Sequence, residues 1–261
     1  MAKILTMPFN TALPEVSATT APQDVSREDA ATFDVLRQMR EDILCCVLKP
    51  DQRLRFGELR QRYGTSVGTL REALSHLVSE GLCRTEAGRG FQVAPISLAD
   101  FLDLSELRVY LETKTVADAI RHGTDEWEAE IVSSFFLLSK LSPPAEDDPV
   151  KVKREWRNRH RRFHSALVAT CRSPWSLHYR SELYDQAQRY HWLTMIHSRG
   201  NRRNEHPAIR DAVLARDIDL SCALIEKHIR TTVEQAASEV PGLIRGTPGR
   251  GGVRIGRRKK I

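Results

Sequence analysis

Nine histidines stand in this chain of 261 residues, and four of them have spacings that suit a metal site. His160 and His164 are four residues apart, so on a helix they share one face. That face also carries Trp156, Phe163 and Leu167, which turns it inward. His206 repeats with Ile209 and Val213, and His228 lies between Ile225 and Ile229 with Thr232 one turn on. Neutral imidazole is the commonest ligand of divalent transition metals. Two ligands from one helix and one from each of two neighbours can surround a single ion inside a bundle. A site that keeps a position open can then hold a carboxylate ligand. The alternative is a set of core histidines, each bonded to a backbone carbonyl.

Catalysis would ask for more. A histidine-bound metal does hydrolytic chemistry when a general base stands beside it, and Glu112 is the one interior carboxylate to offer. The chain has no HExxH, no nucleophile elbow and no glycine-rich phosphate loop. A metalloenzyme acting on a small organic acid is the rival reading, and binding is preferred to turnover. Five cysteines (Cys45, Cys46, Cys83, Cys171, Cys222) form no CxxC pair and read as free thiols of a reducing compartment.

The elements that must position these groups fall into two sets. Val35, Leu36, Met39, Ile43 and Leu44 repeat at helical spacing from Phe33 until Pro50 intervenes. A short helix over 56–63 turns Leu59 inward and stops at Gly64. Ser66 is the N-cap of a helix over 67–80 whose stripe is Leu70, Ala73, Leu74 and Leu77. Two short extended runs, 82–85 and 90–94, flank Gly88-Arg89-Gly90 and predict a hairpin. Three helices and a hairpin over 33–95 are the layout of a winged helix-turn-helix. Its third helix opens Ser66-Val67-Gly68-Thr69-Leu70-Arg71. Ser66, Thr69 and the N-terminal amides suit phosphate oxygens, Gly68 allows close approach, and Arg71 reaches a phosphate or a guanine edge. Arg89 between Gly88 and Gly90 suits a minor-groove or backbone contact. From residue 99 to 238 only helix patterns follow, about six of them, with breaks near 122–124, 142–148, 172–174, 199–201 and 216–217. The expected fold is mainly α: a winged helix-turn-helix and an all-α bundle.

Composition is that of a soluble globular protein, 41% hydrophobic and 28% charged. No apolar run is long enough for a membrane span, and no signal pattern opens the chain, so a cytoplasmic location is expected. The net charge of +6 belongs to the end of the chain. Residues 241–261 hold seven basic side chains and no acidic one, while the rest holds 33 basic against 34 acidic. Bulk charge therefore says little about nucleic acid. Residues 1–32 and 242–261 read as flexible tails. An architectural or RNA-binding protein using the Arg/Gly tail is a second rival. Such binding would be sequence-tolerant and salt-dependent.

Residues 36–97 resemble the winged helix-turn-helix of the GntR family. The resemblance is carried by Leu48-Lys49-Pro50-Asp51-Gln52-Arg53-Leu54, Leu70-Arg71-Glu72-Ala73-Leu74, Glu80-Gly81-Leu82, Gly88-Arg89-Gly90 and Val93-Ala94-Pro95. The family usually has arginine where Val67 stands. Residues 99 to about 238 resemble the FCD effector domain of the FadR-type members, through Leu107-Arg108, Leu111-Glu112, Phe163-His164-Ser165-Ala166-Leu167, Glu205-His206-Pro207-Ala208-Ile209, Arg216-Asp217 and His228. That likeness implies a divalent metal, often zinc or nickel, on an aspartate and three histidines. His164, His206 and His228 match the histidines, and His160 stands at the aspartate position. It further implies a homodimer on a near-palindromic operator, acting more often as repressor, and a small carboxylate effector. Arg108 matches the family's arginine for that carboxylate, and Arg189 joins it by helical placement and likeness to one branch. Runs such as Asp125-Glu126-Trp127-Glu128-Ala129 resemble a branch whose effectors are small dicarboxylates, with glutarate the first candidate.

Overall fold

The computed structural model describes residues 27–239 except 87, 89, 146 and 198–204. The first helix, α1 (Arg27–Leu44), starts six residues earlier than the apolar repeat alone indicates, so 27–32 are helical rather than part of a tail. It is followed by β1 (Arg53–Leu54), α2 (Phe56–Tyr63), α3 (Val67–Ser79), β2 (Cys83–Glu86) and β3 (Gly90–Val93). The predicted hairpin is β2–β3, antiparallel, with Cys83 opposite Val93 and Glu86 opposite Gly90. β1 was not predicted. It pairs antiparallel with β3 on the other side, giving the order β1-β3-β2. Two residues are too few to show an alternation.

Local chemistry sets the element ends. α2 stops at Gly64, whose φ of +64° favours a residue without Cβ. Ser66 caps α3 by accepting a hydrogen bond from the Thr69 amide at 3.1 Å. Leu70, Ala73, Leu74 and Leu77 of α3 are wholly buried against Met39, Ile43 and Leu44 of α1, Leu59 of α2 and Val93 of β3. This small core makes α1, α2, α3 and the sheet one body.

Six helices follow: α4 (Leu98–His122), α5 (Asp125–Ser139), α6 (Val150–Ala166), α7 (Pro174–His197), α8 (His206–Leu214) and α9 (Ile218–Glu239). The predicted breaks at 122–124, 142–148, 172–174 and 216–217 fall between them, and the break at 199–201 lies outside the described residues. α4 packs on α9 and α7, and α5 on α6. Their core holds Val116, Ile120, Trp127, Ile131, Phe163, Trp192, Ile209, Val213, Ile225 and Ile229. Ser97 caps α4 and Thr124 caps α5, accepting from Asp100 N and Trp127 N. Among the described residues no helix is long and apolar enough to cross a membrane.

The α4–α5 corner is tight. Trp127 donates from Nε1 to the Ala166 carbonyl at 2.8 Å, and a Cβ on Gly123 would lie 2.2 Å from the Trp127 ring. Neither a buried indole nor the helix start can yield easily. Gly123→Ala is expected to destabilise the protein by about 1–3 kcal/mol, read as a lower denaturant midpoint with unchanged slope.

Candidate metal centre and nucleic-acid interface

The four histidines come together. His160 and His164 project from α6, His206 from the first turn of α8, and His228 from α9. One ring nitrogen from each lies within 4.8 Å of the others. Three of the contacts are much closer: the Nε2 atoms of His160 and His206 are 3.1 Å apart, those of His164 and His160 3.2 Å, and those of His164 and His206 3.3 Å. Nitrogens bound to one tetrahedral ion at 2.0–2.1 Å stand about 3.3 Å apart, so the donor set fits a metal.

The remaining ring atoms are tied down as ligands require. His228 Nδ1 lies 3.0 Å from Glu205 Oε2. The hydrogen bond with His228 lowers the Glu205 pKa, so this carboxylate is ionised and only accepts. Nδ1 is therefore the donor in this contact. His160 Nδ1 is 2.8 Å from the Tyr184 hydroxyl, and the His160 ring stacks on Trp156 at 4.7 Å. Such outer partners fix the tautomer and orientation of metal-binding imidazoles. Burial, reinforced by neighbouring imidazoles, holds His160, His164 and His206 well below the ordinary histidine pKa. They are neutral, which is the form that binds metal. Sequence reading had missed this outer layer: Glu205, Tyr184 and His191, whose ring stacks 5.4 Å from that of His160. His191 sits on α7, a helix whose apolar spacing marks no face.

An arginine-rich wall adjoins the cluster. A small cavity lies among Arg108, Glu112, His164, Val168, Ile225 and His228, with about 10 Å³ of free space. That is room for roughly one water. Glu112 is 4% exposed and accepts from Arg180 Nε at 2.6 Å and from Arg108 at 3.4 Å. Arg180 also donates to the His164 carbonyl at 2.8 Å. The guanidinium groups of Arg108, Arg161 and Arg180 stand 5.5–5.7 Å from the Tyr184 ring centre. Burial pushes the Tyr184 hydroxyl up to about 12, so it stays protonated.

Arg108 and Glu112 are thus brought to the histidines as expected, and Arg189 is not. It lies buried one element away, donating to the Ala94 carbonyl in the connection between β3 and α4, with its own carbonyl 3.6 Å from Cys46 Sγ. Its place is the junction of the two halves. Arg180 is the α7 arginine that reaches Glu112 and the His164 carbonyl beside the cavity. It lies nine residues, two and a half turns, before Arg189, so the two stand on opposite sides of α7.

In the DNA-binding half, α3 presents an exposed face. Gly68, Arg71, Glu72, Ser75, His76 and Ser79 line a shallow open groove along it. Ser66 and Thr69 hydroxyls are 3.0 Å apart at its N-terminus, and Val67 is exposed. The Arg71 guanidinium lies over the Phe56 ring, 5.5 Å from its centre, and the residue is exposed. Gly88 and Gly90 have φ of +71° and +82°, which gives the hairpin tip its turn. Arg89 lies outside the described residues, as do the two chain ends.

Comparison with known proteins agrees with this architecture. Residues 32–93 match the bacterial regulatory proteins of the gntR family, and residues 103–231 match the FCD domain. The HTH-type transcriptional regulator BphR of Paraburkholderia xenovorans (strain LB400) is 41% identical over 205 residues, covering 78% of this chain and 82% of that protein. The HTH-type transcriptional repressor GlaR of Escherichia coli (strain K12) is 36% identical over 208 residues, covering 77% and 94%. The solved structure of E. coli McbR/YncC superposes with a TM-score of 0.67 at 19% identity, over 79% of this chain and 97% of that one, which speaks for the fold. These relatives are transcriptional regulators and not enzymes, which sets aside the metalloenzyme alternative. The chain belongs to the gntR family of bacterial regulatory proteins, as a DNA-binding transcriptional regulator whose helical half is an FCD domain with a four-histidine cluster that could bind a metal ion.

Proposed function

We propose that the protein is a repressor that binds a near-palindromic operator as a homodimer, and that its helical domain holds zinc or nickel on His160, His164, His206 and His228 beside a small carboxylate effector. The observation that carries the ligand half of this reading is the convergence of three neutral imidazole nitrogens within 3.3 Å, next to a cavity that Arg108 lines. Of the two metals, the spacings favour zinc, since they approach a tetrahedral edge. With all four histidines bound, a carboxylate oxygen would join such a metal by expanding it from four to five ligands. Repression is supported by the printed name of the relative GlaR.

On the DNA side, α3 enters the major groove. Ser66, Thr69 and the α3 amides hold phosphate, Gly68 admits the backbone, and Arg71 reads a base edge or a phosphate. Gly88, Arg89 and Gly90 at the hairpin tip contact the minor groove or backbone. Truncating Arg71 is expected to cost about 1–3 kcal/mol of operator binding.

On the effector side, Arg108 and Arg180 are opposed by one carboxylate, Glu112. The cavity takes about a water, so an organic acid enters only by drawing these arginines off Glu112. A dicarboxylate can serve an arginine with one end and the metal with the other, and glutarate is the first candidate. Arg180 replaces Arg189 in this role.

A gel shift on the DNA upstream of this protein's own gene, with scrambled competitor and increasing glutarate, tests the whole reading. A specific shift released by glutarate is expected. Binding no tighter than to scrambled DNA counts against autoregulation through α3, and a specific shift indifferent to glutarate removes glutarate as effector. Direct titration is expected to show one zinc per chain, with affinity lost in His164→Ala and His206→Ala. Glu112→Gln leaves Arg180 buried and uncompensated, at a cost of about 3 kcal/mol. Melting curves are expected to show that loss without ligand and to recover most of it with glutarate.

A further inference from the structure

α6 bears a second functional stripe beside its histidines. Arg154, Arg157 and Arg161 lie at i, i+3 and i+7 on it, and each meets a carboxylate on another helix. Arg157 pairs with Glu41 and Arg154 with Asp42, both at the C-terminal end of α1. Arg161 pairs with Asp185 of α7, which also takes Arg40 of α1 at 3.1 Å. Asp42 is held further by Tyr63 Oη at 2.8 Å and Arg62 Nε at 3.1 Å, both from α2. α1 in turn grips α3, with Thr32 donating to Glu72 at 3.2 Å and Arg40 to Glu80 at 2.8 Å.

These contacts make one mechanical path. Arg157 precedes His160 by three residues, and Arg161 precedes His164 by three. Residues within one turn of a hydrogen-bonded helix move together, so a shift of the two imidazoles carries the guanidinium groups with it. Arg157 and Asp42 are each 2% exposed, so their pairs are poorly screened and sensitive to small displacements. α7 holds the DNA-binding half through the Arg40–Asp185 pair and also through hydrogen bonds to backbone carbonyls: Gln186 to Glu80 and Arg189 to Ala94. Those bonds are made by a helix that contributes no member of the four-histidine set.

We propose that Arg157 and Arg154 are positioning residues for DNA binding, which transmit the state of the four-histidine site to the DNA-binding half through Glu41 and Asp42. This rests on the reading of the histidines as a metal site and of α3 as the DNA-reading helix. A ligand shifts such an arrangement only by its difference in affinity between two states, and the coupling is reciprocal.

The test uses the full chain, its operator fragment and zinc alone as probe. Operator affinity is measured with and without saturating zinc, and zinc affinity with and without operator. In the wild type the two ratios agree and are about fivefold or more. Arg157→Gln and Glu41→Gln each bring the ratio to within about twofold of one, while zinc affinity without DNA stays at the wild-type value. The charge exchange Arg157→Glu with Glu41→Arg restores the coupling, which a pair that merely glues two surfaces would not do. If Arg157→Gln does not fold, Glu41→Gln carries the test, because its side chain is 26% exposed. Variants that keep the wild-type ratio overturn the proposal. So does a wild type that binds both zinc and operator with no effect of either on the other, and this outcome leaves the metal site and the DNA reading standing. A wild type that takes up no zinc overturns the site and the proposal together.

Discussion

Imidazole nitrogens facing one another inside a protein are tolerated only when their lone pairs are used. Three such atoms within 3.3 Å, neutral and largely buried, bring together more lone pairs than their ring protons can serve one to one. A shared cation does satisfy them. Much of the helical domain serves this point. Trp156 stacks on His160, Tyr184 and Glu205 fix ring tautomers, and Phe163 packs edge-on to His164 and His206. α6, α8 and α9 are each placed so that one turn ends at the cluster.

The second constraint is charge. α4 and α7 bring Arg108 and Arg180 into a region that removes both from water, with Glu112 as their shared counter-ion. Buried pairs of this kind add little net stability, and breaking one is costly. Under the proposed function, they hold positive charge ready beside the place of the effector carboxylate. The pre-set arrangement avoids the reorganisation that a flexible surface arginine would require.

The DNA-binding half follows a simpler logic. α3 buries its leucines completely and presents Gly68, Arg71, Ser75, His76 and Ser79 on an open face. Capping by Ser66 and the turn at Gly64 fix where the helix starts, and so which side chains and amides it presents. Its attachment to α1 couples that face to the ion pairs with α6.

Much of this was legible in the amino-acid sequence. The stripe of α3, its Ser66 cap, the Gly64 stop and the hairpin are local, since each follows from side-chain spacing and backbone preference within a dozen residues. His160 and His164 could be paired for the same reason. Joining His206 and His228 to them needed the inward faces of α8 and α9, which apolar neighbours mark. What sequence could not decide lay where polar residues face inward. Ser176, Arg180 and Tyr184 sit four apart on the buried face of α7, and amphipathic reading assigns such residues to solvent. Hence the burial of Arg180 beside Glu112 is not legible in the sequence. β1 was missed because two residues carry no period, and its strand character comes from pairing with Gln92 and Phe91 some forty residues away. The ion pairs between α6 and α1 join positions over a hundred residues apart. Periodicity reports which face of an element is buried. Which elements meet, and which buried charges find each other, is settled only when the chain packs.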